Sequence, residues 1–158
     1  MNAQLLEILS TDTQGGALQP LPQALLEAGR GLVGDRYHRG AGTFSAQLSG
    51  KPDAQITLIE AEEIEDFNRG TGLALRAADL RRNLVTRGVR LNDLVGMEFR
   101  VGGAVLKGLR LCEPCAHLAR LANPKVLPGL VHRAGLRAQI LVGAVIRPGD
   151  PIVFAAAG

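Results

Sequence analysis

The sequence has no tryptophan, and aromatic residues make up only 3% of its 158 positions. Proteins that bind single-stranded nucleic acid generally stack bases on aromatic side chains, so this scarcity argues against that class. Lysine is scarce as well: Lys51, Lys107 and Lys125 are the only ones among 18 basic residues. The rest are arginines scattered along the chain. They leave a net charge of +3 without the concentrated stripe that a DNA-binding surface needs. No apolar run approaches the ~20 residues of a membrane span, and MNAQLLEILST lacks the basic segment and long apolar core of a secretory signal. The expectation is a cytoplasmic protein with neither membrane nor nucleic acid as partner. Cysteine is limited to Cys112 and Cys115. Two cysteines three positions apart close too small a loop to staple a scaffold, so they read as metal-binding, redox or catalytic residues.

What is present suits one domain spanning residues 1–158. With 46% hydrophobic and 21% charged residues the composition is that of a globular chain whose core rests on Leu, Val, Ile and Ala. QLLEILS reads as a first strand. LQPLPQALLEAG has the apolar spacing of a helix starting at Pro22, although it holds two prolines in its first half. GRGLVGDRYHRGAGTFS follows, glycine-rich and carrying Asp35, Arg36, His38 and Arg39, which is the composition of a binding loop. Gly29, Gly31 and Gly34 match GxGxxG, but no clear strand precedes them and no helix follows, so the dinucleotide reading is discarded.

QITLI then reads as a strand leading into a helix, EAEEIEDFNRGTG, acidic at its start and stopped by glycine. The stretch from residue 78 to residue 112 reads as a β-meander broken by glycine turns, with residues 98–111 as adjacent strands. NPKVLPGLVHRAGLR is a connection with room for one helical turn. Residues 138–146 are rich in β-branched residues, and a turn over 147–150 leads to a last strand, Ile152–Phe154. This pattern predicts a mainly β fold with a few short helices, closed or nearly closed into a β-barrel rather than laid out as a βαβ sheet.

The abrupt change of pattern at KGLRLCEPCAHLARL marks the reactive stretch. Cys112 ends a strand, residues 116–121 have helical spacing, and Pro114 suits a first helical turn. Cys115 is then expected inside that turn, where free N–H groups favour negative charge on sulfur. Against this stand a buried apolar role for Cys115, a structural zinc site using Cys112, Cys115 and His117, and a thioredoxin-like dithiol. His117 is too close in sequence for paired-knuckle zinc spacing, and no second CxxC exists. The dithiol reading lacks that fold's alternating strands and crossover helix. Arg81 offers a guanidinium fork for a phosphate, and Asn83 an amide beside it. Arg82 would point the opposite way if the segment is extended. In the glycine-rich loop Arg36 and His38 are further candidates, with the imidazole able to donate to an oxyanion or shuttle a proton. His132 is a weaker one.

Taken in order, GLVGDRYHRGAGTFS, ITLIEAEEIE, RRNLVTRGVRLNDLVGMEF, LCEPC and GAVIRPGDPI resemble the MOSC domain of molybdenum cofactor sulfurases and of small bacterial MOSC proteins. The resemblance covers nearly the whole chain. It implies a β-barrel-rich fold that binds molybdenum cofactor (molybdopterin) or passes sulfur to it. Cys115 matches the key cysteine, either as molybdenum ligand or as persulfide carrier, with Arg81, Asn83, Arg36, His38 and Cys112 as cofactor-binding residues. Large sulfurases add a pyridoxal-phosphate domain and amidoxime reductases an N-terminal β-barrel. A chain of 158 residues is expected to have room for neither, so pyridoxal phosphate is not expected here. Sulfur or electrons would come from a donor protein, and a homodimer stays open. Reduction of N-hydroxylated substrates, cofactor sulfur transfer, a non-enzymatic cofactor carrier and a CxxC dithiol redox protein all remain as functions.

Overall fold

A computed structural model describes residues 2–48 and 51–155. The strands β1 (Gln4–Ser10), β2 (Gln19–Pro20), β5 (Ile56–Glu60), β6 (Leu84–Arg87), β7 (Glu98–Val101), β8 (Ala104–Leu111), β9 (Leu136–Val142) and β11 (Ile152–Phe154) form one sheet, in the order β11-β7-β8-β9-β5-β6-β1-β2. A smaller sheet joins β3 (Ala24–Glu27), β4 (Gly31–Leu32) and β10 (Ala144–Ile146) in the order β10-β3-β4. The helices are short: α1 (Ser45–Leu48), α2 (Ala61–Thr71), α3 (Ala116–Leu121) and α4 (Val126–Gly129). The protein is therefore mainly β with a few short helices, as the glycine-punctuated sequence predicts. No helix among the described residues is long and apolar enough to cross a membrane.

The large sheet is not closed into a barrel by a continuous ladder. Its far strands nevertheless touch, because the Leu5 amide donates to the Asp150 carbonyl at 2.9 Å, the Ile152 amide to Ala3 at 2.9 Å, and Gln4 bridges Pro151. The expected hairpin is present, with Glu98 opposite Lys107 and Val101 opposite Ala104 around the Gly102-Gly103 turn.

Two local expectations are corrected. Residues 22–29 are not helical: Pro20 and Pro22 withhold backbone donors, and Ala24–Glu27 pairs as a strand with β10 and β4. The stretch 78–112 is not a plain meander either, because β6 runs parallel to β5 with α2 as the crossover, one βαβ unit inside an otherwise antiparallel sheet. Helix α2 forms as read, with Glu62 and Glu63 in its first turn and Gly72 at φ 74° ending it.

Strand alternation divides the interior. Leu5, Ile56, Leu58, Leu84, Leu106, Leu136 and Ala138 face one core cluster, enclosed by the curving sheet. Leu9, Ile59 and Val85 belong to a second, where Ile64 and Phe67 of α2, Leu118 of α3 and Val126 of α4 cover the outer face. Thr57 and Arg137 lie opposite each other in the β5–β9 pair, between residues that face the first cluster. They are thereby directed to the outer face, where α3 and the glycine-rich loop gather.

Candidate functional site

The cysteine corner forms where predicted: β8 ends at Leu111 and α3 begins at Ala116. Cys115 does not lie within the first turn. It is the residue that caps the helix, with extended backbone (φ −135°, ψ 169°), and its Sγ accepts from the Leu118 amide at 3.5 Å. Pro114 therefore stands outside the helix. Leu118 is buried in the second core cluster and anchors α3, which leaves Cys115 half-buried at the surface. Cys112 is buried, its amide donating to the Gly135 carbonyl at 2.8 Å. Gly135 has φ 113°, and a Cβ there would run into the Leu58 carbonyl oxygen, so only glycine lets β9 start this close to β5.

Arg82 holds the corner in place. Its Nε donates to the Ala134 carbonyl at 2.8 Å and its Nη2 to the carbonyls of Cys112 at 2.9 Å and Glu113 at 3.4 Å. This corrects the expectation that Arg82 points away from the site. Arg81 sits at φ 64°, in the left-handed region, at the end of a 3-10 turn over Ala77–Leu80, so the chain is not extended and strict alternation fails. Arg81 instead donates from Nη1 to the Gly16 carbonyl at 2.6 Å.

Asn83 is 5% exposed. Its Oδ1 accepts from the Thr57 amide and hydroxyl, each at 3.3 Å, and its Nδ2 donates to the Leu9 carbonyl at 3.1 Å and to Asp35 Oδ1 at 3.3 Å. That exhausts the amide's ordinary capacity, so Asn83 ties β1, β5 and the glycine-rich loop together. Asp35 is the loop's anchor: Oδ1 also accepts from Ser10 at 2.9 Å and from Arg36 Nη1 at 3.2 Å, and Oδ2 from the Tyr37 amide at 3.1 Å. Arg36, itself buried, lies 4.9 Å from the centre of the Tyr37 ring.

These anchors bring the loop over the corner. A depression of about 50 Å³ is lined by Cys115, His117, Thr43, Phe44, Arg36, Arg81 and Arg82. Thr43 Oγ1 lies 3.3 Å from His117 Nε2, and the Phe44 ring meets that imidazole edge-on at 6.1 Å. Arg36, Arg81 and Arg82 also border an inner chamber of about 40 Å³ that reaches Cys112, Thr57, Asn83 and Arg137. Beyond Tyr37 and Ala54, which the two spaces share, opens a cleft of about 410 Å³ lined by His38, Arg30, Lys51 and Gln55.

Of the residues singled out from sequence, the structure gathers Cys115, Arg36 and Arg81 at one depression, with Cys112 and Asn83 one layer deeper. His38 stands apart in the larger cleft, its Nε2 3.4 Å from Glu27 Oε2. His132 is exposed and bound to Glu113 at 2.5 Å. Among the described residues no group of three His, Cys, Asp or Glu side chains could hold a metal, and Cys112, Cys115 and His117 do not assemble as one.

The field at the depression is positive. Burial, and after it the Arg36 guanidinium, lower the Arg81 pKa from its ordinary value. His117 is lowered too, by burial first and then by Arg120, Arg81 and Arg36. A soft sulfur beside guanidinium forks suits an anionic ligand that also presents a soft metal or sulfur. Asp35, Arg82, Arg137 and His117 have roles here that the sequence reading did not assign. Arg137 alternates with apolar neighbours as any solvent-facing strand residue does, and carries no local signal.

Residues 45–153 match the family model for the MOSC domain. Among solved structures, YuaD from Bacillus subtilis superposes with a TM-score of 0.80 at 17% identity, over 96% of this chain and 94% of that one. YiiM from Geobacillus stearothermophilus gives 0.75 at 17% identity, over 99% and 76%. YiiM from Escherichia coli gives 0.72 at 16% identity, over 100% and 71%. No curated protein matches the chain. At these identities the structural likenesses establish the fold.

Proposed function

Because the chain belongs to the MOSC domain family, we propose that it binds a molybdopterin-type cofactor, with Cys115 as the thiolate ligand to molybdenum or the carrier of sulfane sulfur. The observation that carries this is the half-buried Cys115 sharing one depression with Arg36, Arg81 and Arg82. The donor set fits the group. A single thiol is a soft donor, the arginines match an anionic ligand, and the cleft of about 410 Å³ that meets the inner chamber at Tyr37 and Ala54 is within the range of small-molecule pockets. When bound, such a cofactor supplies two-electron redox and oxygen-atom chemistry.

The chain's own residues hold and shield. Arg82 and Gly135 fix the corner that presents Cys115. Arg36 and Arg81 face the anionic part, and His38 borders the space for the remainder. Asn83 and Asp35 keep the loop registered above the thiol, and Thr43 and Phe44 restrict access to it from the His117 side. The proposal treats residues 1–158 as one MOSC domain, since β1 lies outside the matched stretch yet pairs with β6 within it. It places the protein in the cytoplasm with a sulfur-donor or electron-donor protein. The donor's chemistry decides between sulfur transfer to the cofactor and reduction of an N-hydroxylated substrate. The test is metal analysis with pterin fluorescence on protein purified from a host that makes the cofactor. Molybdenum and pterin in equal amounts, approaching one per chain, are expected; protein that neither copurifies with them nor takes up added molybdopterin refutes the reading.

A further inference from the structure

The helices cover the outer face of the large sheet at one end only. No residue of β7, β8, β9 or β11 belongs to the core cluster beneath them, and Glu98, Arg100, Val142 and Val153 stand exposed on that face. Strand register sets the side chains there in two rows. In one, Val153 opposes Arg100, Arg100 opposes Val105, and Val105 opposes Val142. In the next, Glu98 opposes Lys107 and Lys107 opposes Gln139. Leu141, Val142, Val153 and Phe154 are 36%, 51%, 56% and 39% exposed, and with Val105 they line one cleft of about 540 Å³ that Glu98 and Arg100 also border. Exposed apolar side chains gathered together and rimmed by charge mark a protein contact. Glu98, Arg100 and Lys107 enter none of the ion pairs among the described residues, so their charges are free to meet a partner.

We propose that this face is where two copies of the chain meet, because the patch complements itself. A two-fold axis parallel to the strands, between β7 and β8, exchanges those two strands across the interface. It sets Glu98 of each copy against Lys107 of the other, Val153 and Phe154 against Val142 and Leu141, and the apolar stem of Arg100 over Val105. Each contact then occurs twice, as an isologous interface requires. The charge pattern selects this occupant: a second copy offers a lysine to each glutamate, whereas a small apolar ligand would fill the cleft and leave Glu98 and Lys107 unmatched. The interface leaves the cysteine corner open. Its cleft shares no lining residue with the depression, the inner chamber or the cleft at His38, and Val105 lies about 20 Å of strand away from Leu111, where β8 ends at the corner. The proposal therefore does not depend on what Cys115 binds.

The experiment is sedimentation equilibrium on the full chain from about 1 µM to about 1 mM. The mass is expected to rise from one chain to two. Val153→Asp should weaken association about a hundredfold or more, because it places a charge in the apolar part of the contact. Val153 is exposed in the single chain, so the urea midpoint of the variant should not move when measured below the association range. Glu98→Lys and Lys107→Glu should each weaken association about tenfold or more by setting like charges together. Mixing those two variants should restore it, since the mixed dimer again has opposite charges at both contacts; damage within one chain would not be repaired by mixing. Cys115→Ser should associate like the unmodified chain, so this proposal and the molybdenum proposal can fail separately. A chain that stays monomeric throughout, including one that takes up an apolar dye in the cleft instead, overturns the proposal. So does a dimer that Val153→Asp leaves intact, or a pair of charge variants that mixing does not rescue.

Discussion

Asn83 directs its whole amide at the protein itself, with Thr57, Leu9 and Asp35 taking every ordinary hydrogen bond it can make. Its contribution to any ligand site is therefore positional, through the loop it holds down. Asn83→Ala leaves buried polar partners unmet and should lower stability by about 2–4 kcal/mol, read as a shifted urea midpoint; unchanged stability would mean that Asn83 is not the clasp described here. Arg81 behaves differently. Its left-handed backbone costs about 1–2 kcal/mol that glycine avoids, while its guanidinium makes one bond, to the Gly16 carbonyl. Arg81→Gly should stay within about 1 kcal/mol of the unmodified chain in stability, because the relieved strain offsets one charge-assisted bond, yet retain less cofactor. A variant that melts far lower but keeps its cofactor would reverse that assignment. Both residues stand out in the sequence because an Arg-Arg-Asn cluster lies between apolar runs. The cluster alone does not distinguish contact from clasp, since that depends on Thr57 and Asp35, which are 26 and 48 positions away.

The strand-to-helix corner was legible because its signals are local: strand alternation up to Leu111, Pro114, then helical spacing. What shapes it is not local. Gly135 is pressed against the Leu58 carbonyl and receives the Cys112 amide, so Gly135→Ala should lower the melting temperature and displace Cys115 together with β9. An alanine variant with unaltered melting would show that the backbone contact is not as tight as described. The start of α2 offers a second case. Glu60 is 8% exposed and accepts from the Leu91 amide at 3.2 Å. Burial raises its carboxyl pKa from 4.5 to about 7; the Leu91 amide opposes the shift, Glu63 and Glu62 add to it, and Arg90 opposes. The folded chain thus keeps a proton that the unfolded chain releases, and stability should fall as pH rises from about 4.5 to about 7 and then level off. Glu60→Gln should flatten that window in melting experiments; an identical pH profile in the variant would remove Glu60 as its cause. The two misread elements failed for a related reason: the spacing over residues 18–29 and the parallel run of β6 are both decided by which strands lie alongside.

At the scale of the whole molecule, a mainly β fold was readable from many short apolar runs and glycine turns. How the sheet curves was not, because the Gln4–Pro151 bridge joins opposite ends of the chain. The convergence of three distant stretches on one depression likewise depends on buried tethers, of which Asp35 to Asn83 and Arg82 to Cys112 are the clearest. Around those tethers the protein places guanidinium groups on one side of a cysteine and a roomy cleft beyond them. The central claim is that this cysteine is Cys115 and not Cys112. Molybdenum and pterin content should be compared in the unmodified chain, Cys115→Ser and Cys112→Ser, all purified from a cofactor-competent host. A serine hydroxyl neither ionises near neutral pH nor binds soft metal as a thiolate does, so Cys115→Ser should lose its molybdenum while Cys112→Ser keeps most of it. Equal content in Cys115→Ser and the unmodified chain, or a greater loss from Cys112→Ser, would contradict the account.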